Sequence, residues 1–247
     1  MLEKKLRSTE RITIYLSILL LSILLPQCDS TEPIGPEDVT IEDVIETLFL
    51  GTGRASAGGG CIEDIGGGHT EGIWRTFEKG SQIRLIIGSS VADEGRIALE
   101  REIAIFNDLI DGFFVITIDT STSADPVAGT NEITSADFGG NQVSARCDGN
   151  SQGCAVPTVT NGAVFISVQT YQGPNFPGTS HVHEVGHALG LCHVSQTSVP
   201  GATMANPQLG SSDSFVEFER MAIERVFASG LEPGATTADF RQAGLIR

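Results

Sequence analysis

Three things are scarce in this chain, and each scarcity excludes a class of protein. Basic residues number 15 against 31 acidic ones, for a net charge of −16. A surface of that sign repels phosphates, so nucleic acid is not an expected partner. Long apolar runs are missing as well. The most apolar stretch, Ile12 to Leu25, covers fourteen residues, whereas a membrane-spanning helix needs about twenty. Histidine is the third scarcity: five occur in 247 residues, with none between His69 and His181. What is there, 40% apolar and 19% charged residues, is the composition of a globular protein with ample core.

The N-terminus reads as a leader. Lys4, Lys5, Arg7 and Arg11 form a basic start to the apolar run, so residues 1–27 are expected to be a signal peptide. Leu25-Pro26-Gln27-Cys28 resembles a bacterial lipobox. That resemblance implies lipidation at Cys28 and a place at the cell envelope or surface, with simple secretion or an uncleaved anchor as alternatives. Either way the protein is exported, and a lipid at Cys28 is its expected tie to a membrane. A monomer is favoured.

Residues 28–72 then form a tether and an N-terminal extension or propeptide-like segment, ahead of a main domain at 73–247. Asp29 to Pro36 is polar and proline-rich. Glu37 to Leu50 has Val39, Ile41, Val44, Ile45, Leu48 and Phe49 at helical spacing. Gly51 to Gly68 is a glycine-rich loop. In the main domain, Gln82 to Gly88 and Phe113 to Asp119 are strand candidates. The segment Asp93 to Ile110 between them is a helix with Leu99, Ile103, Phe106 and Ile110 on one face. Strand, helix, strand at that spacing predicts a crossover and neighbouring parallel strands. Thr120 to Asn161 is loop-rich. Asp125, Asp137, Asn141 and Asp148 there are candidate Ca²⁺ ligands, although no D-x-D-x-D-G pattern is present. Ala163 to Gln169 is a further strand, and Ser214 to Ala228 a last helix with Phe215, Phe218, Met221, Ala222, Arg225 and Val226 near one register. The fold class is α+β.

Four of the five histidines fall between His181 and His193. Inside that segment His183-Glu184-Val185-Gly186-His187-Ala188-Leu189-Gly190-Leu191-Cys192-His193 spells H-E-x-x-H-x-x-G-x-x-H. Residues four apart on a helix share a face, so His183 and His187 can hold one Zn²⁺ together. Gly190 can adopt the left-handed conformation that ends the helix and returns the chain, bringing His193 in as third ligand. A fourth position left for water marks a catalytic rather than a structural zinc site. Glu184, beside the first ligand, is placed to act as general base on that water. His181 lies on another helical face and is expected to support the site or face solvent.

These residues resemble the zinc motif of the metzincin clan of metalloendopeptidases. The clan's Met-turn is matched by Thr203-Met204-Ala205-Asn206-Pro207, with Met204 as the floor of the metal site. Ala202-Thr203-Met204 with Pro207 resembles the matrixin branch in particular. Val194 in place of the usual serine, Ala205 in place of the usual tyrosine, and no tyrosine two residues after Met204 depart from the family patterns. The resemblance implies a twisted mixed sheet with a backing helix, an active-site zinc helix, a Met-turn and a C-terminal helix. It also implies a protein or peptide substrate, which would pair as an extended strand around Val164 to Val168. The second, structural zinc of matrixins is not expected, for lack of histidines. Nor is a cysteine switch, since Cys61 sits in Gly-Gly-Cys-Ile-Glu rather than Pro-Arg-Cys-Gly.

Four cysteines besides Cys28 allow three pairings. Cys147 and Cys154 flank a short turn and can close a hairpin, which would leave Cys61 for Cys192; free thiols are the alternative. The expected activity is zinc-dependent peptide hydrolysis. The reading from another class is a surface lipoprotein that binds extracellular macromolecules through a non-catalytic zinc site.

Overall fold

Five strands form one mixed sheet in the order β2-β1-β3-β5-β4. They are β1 (Gln82–Ile87), β2 (Val115–Asp119), β3 (Asn131–Asp137), β4 (Gly153–Thr160) and β5 (Ala163–Thr170). Among the described residues the helices are α1 (Ile41–Leu50), α2 (Asp93–Leu109), α3 (His181–Ala188), α4 (Glu217–Ala228) and α5 (Thr237–Gln242). Two short strands, β6 (Val194–Ser195) and β7 (Ala205–Asn206), pair in parallel beside α3. The computed structural model describes residues 38–57, 61, 72–119, 131–137, 153–160, 163–170, 181–206 and 213–247. The leader, Cys28, His69, Cys147, Pro207 and the calcium candidates Asp125, Asn141 and Asp148 lie outside the described residues, as do the side chains of Asp137 and Cys154. No helix among the described residues is long and apolar enough to cross a membrane.

The crossover expected between β1 and β2 is present: they pair in parallel, with Leu85 opposite Ile118, and α2 connects them. On its other edge β1 pairs in parallel with β3, and β3 in parallel with β5. Only β4 runs antiparallel, along β5. The loop-rich region 120–161 also supplies two strands that its sequence does not announce, β3 and β4. β3, Asn-Glu-Ile-Thr-Ser-Ala-Asp, has a weak strand signature of its own and takes its conformation from hydrogen bonding to a strand on each side. Glu132 on β3 is buried beside Arg84 of β1, 3.3 Å away. One expectation is corrected by this topology. β5 is flanked by β3 and β4, so Val164 to Val168 cannot accept a further strand; the outer strand is β4, which carries Pro157 as edge strands can.

α2 packs on β2 and on α3, and α3 packs on β3, β4 and β5, so the two helices lie side by side across the sheet. α1 begins four residues later than its sequence signature, at a capping box: Asp43 N donates to Thr40 Oγ1, and Thr40 N to Asp43 Oδ2. Its Val44, Ile45, Leu48 and Phe49 are buried in the same core as the main domain. Trp74, the single tryptophan, meets Phe49 of α1, Phe113, Phe227 of α4 and Phe240 of α5 with ring centroids 5.2 to 6.3 Å apart. Edge-to-face contacts of this kind add to the burial of the rings themselves. The last long helix begins at Glu217 rather than Ser214, and its register differs from that expected. Ala222, Ile223, Val226 and Phe227 face the core while Phe218 is exposed. The cause is Glu219, whose carboxylate turns inward to bind backbone N–H groups and fixes the rotation of the helix. α5, absent from the sequence reading, is a short helix capped by Thr236 and Asp239.

Candidate metal centre

The site is built by one short helix and the turns that fold back on it. His183 and His187 project from the same face of α3, as their spacing dictates. The helix then stops at a Schellman turn: Leu191 N donates to Gly186 O at 3.0 Å, and Gly190 N to His187 O at 2.9 Å. Gly190 has φ of +94°, and a Cβ there would lie 1.9 Å from the carbonyl oxygen of Arg75. Only glycine satisfies both the left-handed backbone and that close approach. The reversed chain carries His193 back to the helix, immediately before β6.

The three imidazoles converge on one point. His183 Nε2 lies 3.0 Å from His187 Nε2, His187 Nε2 lies 3.1 Å from His193 Nε2, and the third separation is 3.2 Å. Among the described residues this is the group of three or more histidine, cysteine, aspartate or glutamate side chains arranged to hold a metal ion. The opposite ring nitrogens fix the protonation pattern of two of them. His183 Nδ1 donates to Thr203 O at 2.6 Å, and His187 Nδ1 donates to Leu191 O at 2.7 Å. With the proton held on Nδ1, each Nε2 presents its lone pair to the common centre. His193 Nδ1 is 3.4 Å from the Asn206 side-chain amide. Burial, and for His183 also the neighbouring His193, lowers the histidine pKa values to about 3 at His183 and about 4 at His193. Both rings are therefore neutral at physiological pH, the form that binds metal.

The Nε2 lone pairs of His183 and His187 face each other at 3.0 Å and repel unless a proton or a cation lies between them. A tetrahedral metal with nitrogen ligands at about 2.0–2.1 Å would set those nitrogens roughly 3.3–3.4 Å apart. The donor set and its spacing thus fit a metal ion.

Glu184 follows His183 on α3 and is buried, and burial pushes its carboxyl up to about 8. A divalent cation nearby acts in the other direction, favouring the carboxylate. Met204 is fully buried in the tight turn closed by Ala205 N donating to Ala202 O at 3.3 Å. Its sulfur lies where a Cβ on Gly186 would come within 2.5 Å, directly under the helix segment between His183 and His187. His181 stands apart from the triad: it is buried, with Nδ1 2.7 Å from Ser135 Oγ, and so links α3 to β3. Cys61 and Cys192 are joined by a disulfide, so neither sulfur is a metal ligand.

Several residues escaped the sequence reading. The carbonyls of Thr203 and Leu191 orient two ligands, and backbone acceptors leave no mark in a sequence. Glu219 is the larger omission. It accepts from Thr203 N at 3.0 Å, Met204 N at 2.8 Å and Val216 N at 2.9 Å, fastening the turn beneath the metal site to the start of α4. Burial pushes Glu219 up to about 7, with those three bonds opposing the shift. A signal existed, for Glu219 shares the helical stripe of Ala222, Ile223 and Val226, where a carboxylate has no place unless it is partnered.

The chain matches no protein-family model and no curated protein significantly.

Proposed function

We propose that this protein is an exported zinc-dependent endopeptidase of the metzincin type. The observation that carries the reading is the triangle of Nε2 atoms, 3.0 to 3.2 Å on a side. It comes from H-E-x-x-H-x-x-G-x-x-H with a glutamate beside the first ligand and a buried methionine below. The order of elements, from strand and backing helix through further strands to metal helix, methionine turn and C-terminal helix, supports the same class. Zinc suits three neutral imidazoles in a compact site.

His183, His187 and His193 would hold the ion, which when bound supplies Lewis acidity towards water and a substrate carbonyl. Glu184 takes a proton from the attacking water and returns it to the leaving amine nitrogen. Its place next to the first ligand, buried within the site, suits a base acting on that water. An extended peptide would pair along β4, the outer strand, which packs against α3. The leader and Cys28 fit a protein held at a bacterial envelope by a lipid, or released outside it. Glu184 favours catalysis over a purely binding role, because a structural zinc site gains nothing from a carboxylate next to a ligand.

The test is casein cleavage by the wild-type chain and by Glu184→Gln, with zinc quantified in both. Loss of the general base should lower the rate about 10²–10⁴-fold while zinc stays bound. Equal cleavage by both proteins, or no cleavage by a zinc-loaded wild type, contradicts the proposal.

A further inference from the structure

His183 and His187 are secured by the helix they share and by two strong hydrogen bonds to carbonyls. His193 is not on that helix, and among the described residues its ring contacts, besides the other two histidines, the Asn206 side chain at 3.4 Å. What fixes its position is the backbone around it, and most of that support comes from the far N-terminal side of the chain.

One residue before His193, Cys192 N donates to Leu48 O, in the last turn of α1, at 2.7 Å. Two residues after it, Ser195 N donates to Ala55 O at 2.7 Å. Between them Val194 forms an antiparallel bridge with Ser56 and donates its N–H to Met204 O at 2.9 Å. β6 therefore lies between the 48–56 segment on one edge and the methionine turn on the other. The segment is itself firm. Gly51 reverses the chain with φ of 68°, Thr47 Oγ1 donates to Thr52 O at 3.0 Å, and Ser56 Oγ donates to Gly51 O at 3.1 Å. Its base, α1, is buried in the core through Val44, Ile45, Leu48 and Phe49. The assembly is then closed covalently, by the disulfide from Cys61 to Cys192 across 131 residues of sequence.

We propose that the stretch from Leu48 to Ser56 is a positioning brace for the third metal ligand, and that the Cys61–Cys192 disulfide locks it, making full metal affinity depend on the oxidised state. The proposal rests on the metal-centre reading above and extends it to regulation. It assigns this upstream segment to the working enzyme, not to a removable pro-segment. The protein binds metal with full affinity in an oxidising compartment and more weakly under reducing conditions, which suits an exported chain.

The experiment measures Zn²⁺ and Co²⁺ affinity of the full-length chain before and after treatment with a water-soluble phosphine. The phosphine attacks one sulfur, the S–S bond breaks, and two thiols form with protons from water; the phosphine leaves as its oxide, carrying the water oxygen. Because freed thiols can themselves bind metal, the Cys61→Ser/Cys192→Ser double variant is measured alongside. In both, Zn²⁺ affinity should fall about 10–100-fold, the range for losing support behind a ligand. The visible band of bound Co²⁺ should change in intensity while the far-ultraviolet circular dichroism does not. If the double variant does not fold, the phosphine-treated wild type, its reduction verified by mass, decides the matter. Unchanged metal affinity without the disulfide overturns the proposal. So does metal loss that occurs only together with loss of the circular dichroism signal, since the disulfide would then support the fold and not His193. Failure of the oxidised wild type to bind Zn²⁺ at all would instead overturn the metal centre itself.

Discussion

Gly190 and Gly186 matter through the atoms they lack. At Gly190 a methyl group would meet a backbone oxygen at 1.9 Å on a residue whose φ is +94°, and a carbonyl in a packed chain cannot yield as a side chain can. Gly190→Ala should therefore cost about 3 kcal/mol or more, combining a left-handed penalty with overpacking, and the denaturation midpoint should drop accordingly. A change within about 0.5 kcal/mol, the scale of an inert surface substitution, would contradict the role given to this turn. Gly186 is less strict. The atom in its way is the Met204 sulfur, at 2.5 Å, the flexible part of a side chain. The three histidines and their glycine were legible in the sequence because they come from one eleven-residue segment, His183 to His193, in which a helical turn and a glycine reversal convert sequence into geometry.

At the scale of elements, sequence and structure part where neighbours decide the outcome. β1, α2 and β2 announce themselves by periodicity because their apolar residues face a core on their own account. β3 and β4 do not. Ile133 is the buried apolar residue of β3, while Glu132 and Ser135 are buried through Arg84 and His181, partners far away in sequence. Periodicity cannot register such pairings. Likewise α2 and α4 each carry a buried carboxylate on an apolar stripe. Glu102 accepts from Ser214 Oγ at 2.8 Å and Phe215 N at 3.1 Å, and Glu219 accepts three backbone N–H groups. These two acids anchor the entry of α4 and the methionine turn. Glu219→Gln keeps one accepting oxygen and turns an NH₂ group towards buried N–H donors. It should lower stability by about 2–3 kcal/mol, the cost of unmet buried donors, visible as a lower urea midpoint with unchanged slope. An unaltered midpoint would mean that Glu219 does not hold the turn.

For the molecule as a whole, the buried ionisable groups of the centre set how stability varies with pH in the metal-free protein. His183 and His193 have pKa values lowered from 6.5 to about 3 and about 4. Below pH 6.5 the unfolded chain binds their protons more readily, so these groups make stability fall as pH drops towards 4 and 3. Glu184 and Glu219 are raised from 4.5 to about 8 and about 7. Above pH 4.5 the folded chain keeps protons that the unfolded chain releases, so these groups make stability fall as pH rises through 7 and 8. The opposing trends cancel between 4.5 and 6.5. Thermal scans of the metal-free protein should show a plateau there, falling on both sides, and Zn²⁺ should raise the melting temperature at pH 7 and above. A melting temperature still climbing at pH 8 without metal would contradict the buried state of the two carboxylates.

The aromatic cluster around Trp74 ties α1, α4 and α5 into one core, so the described residues 38–57 are built into the same core as the helix that carries His183 and His187. That continuity is why a helix seen in the sequence as an extension ends within hydrogen-bonding distance of the third ligand's strand.

The most direct measurement is X-ray absorption at the zinc edge of the purified, zinc-loaded protein. Three imidazole nitrogens and one further oxygen at about 2.0–2.1 Å, with the imidazole signal diminished in His193→Ala, is the result expected of an open three-histidine centre. Sulfur among the scatterers, four protein ligands closing the site, or no zinc retained would contradict it.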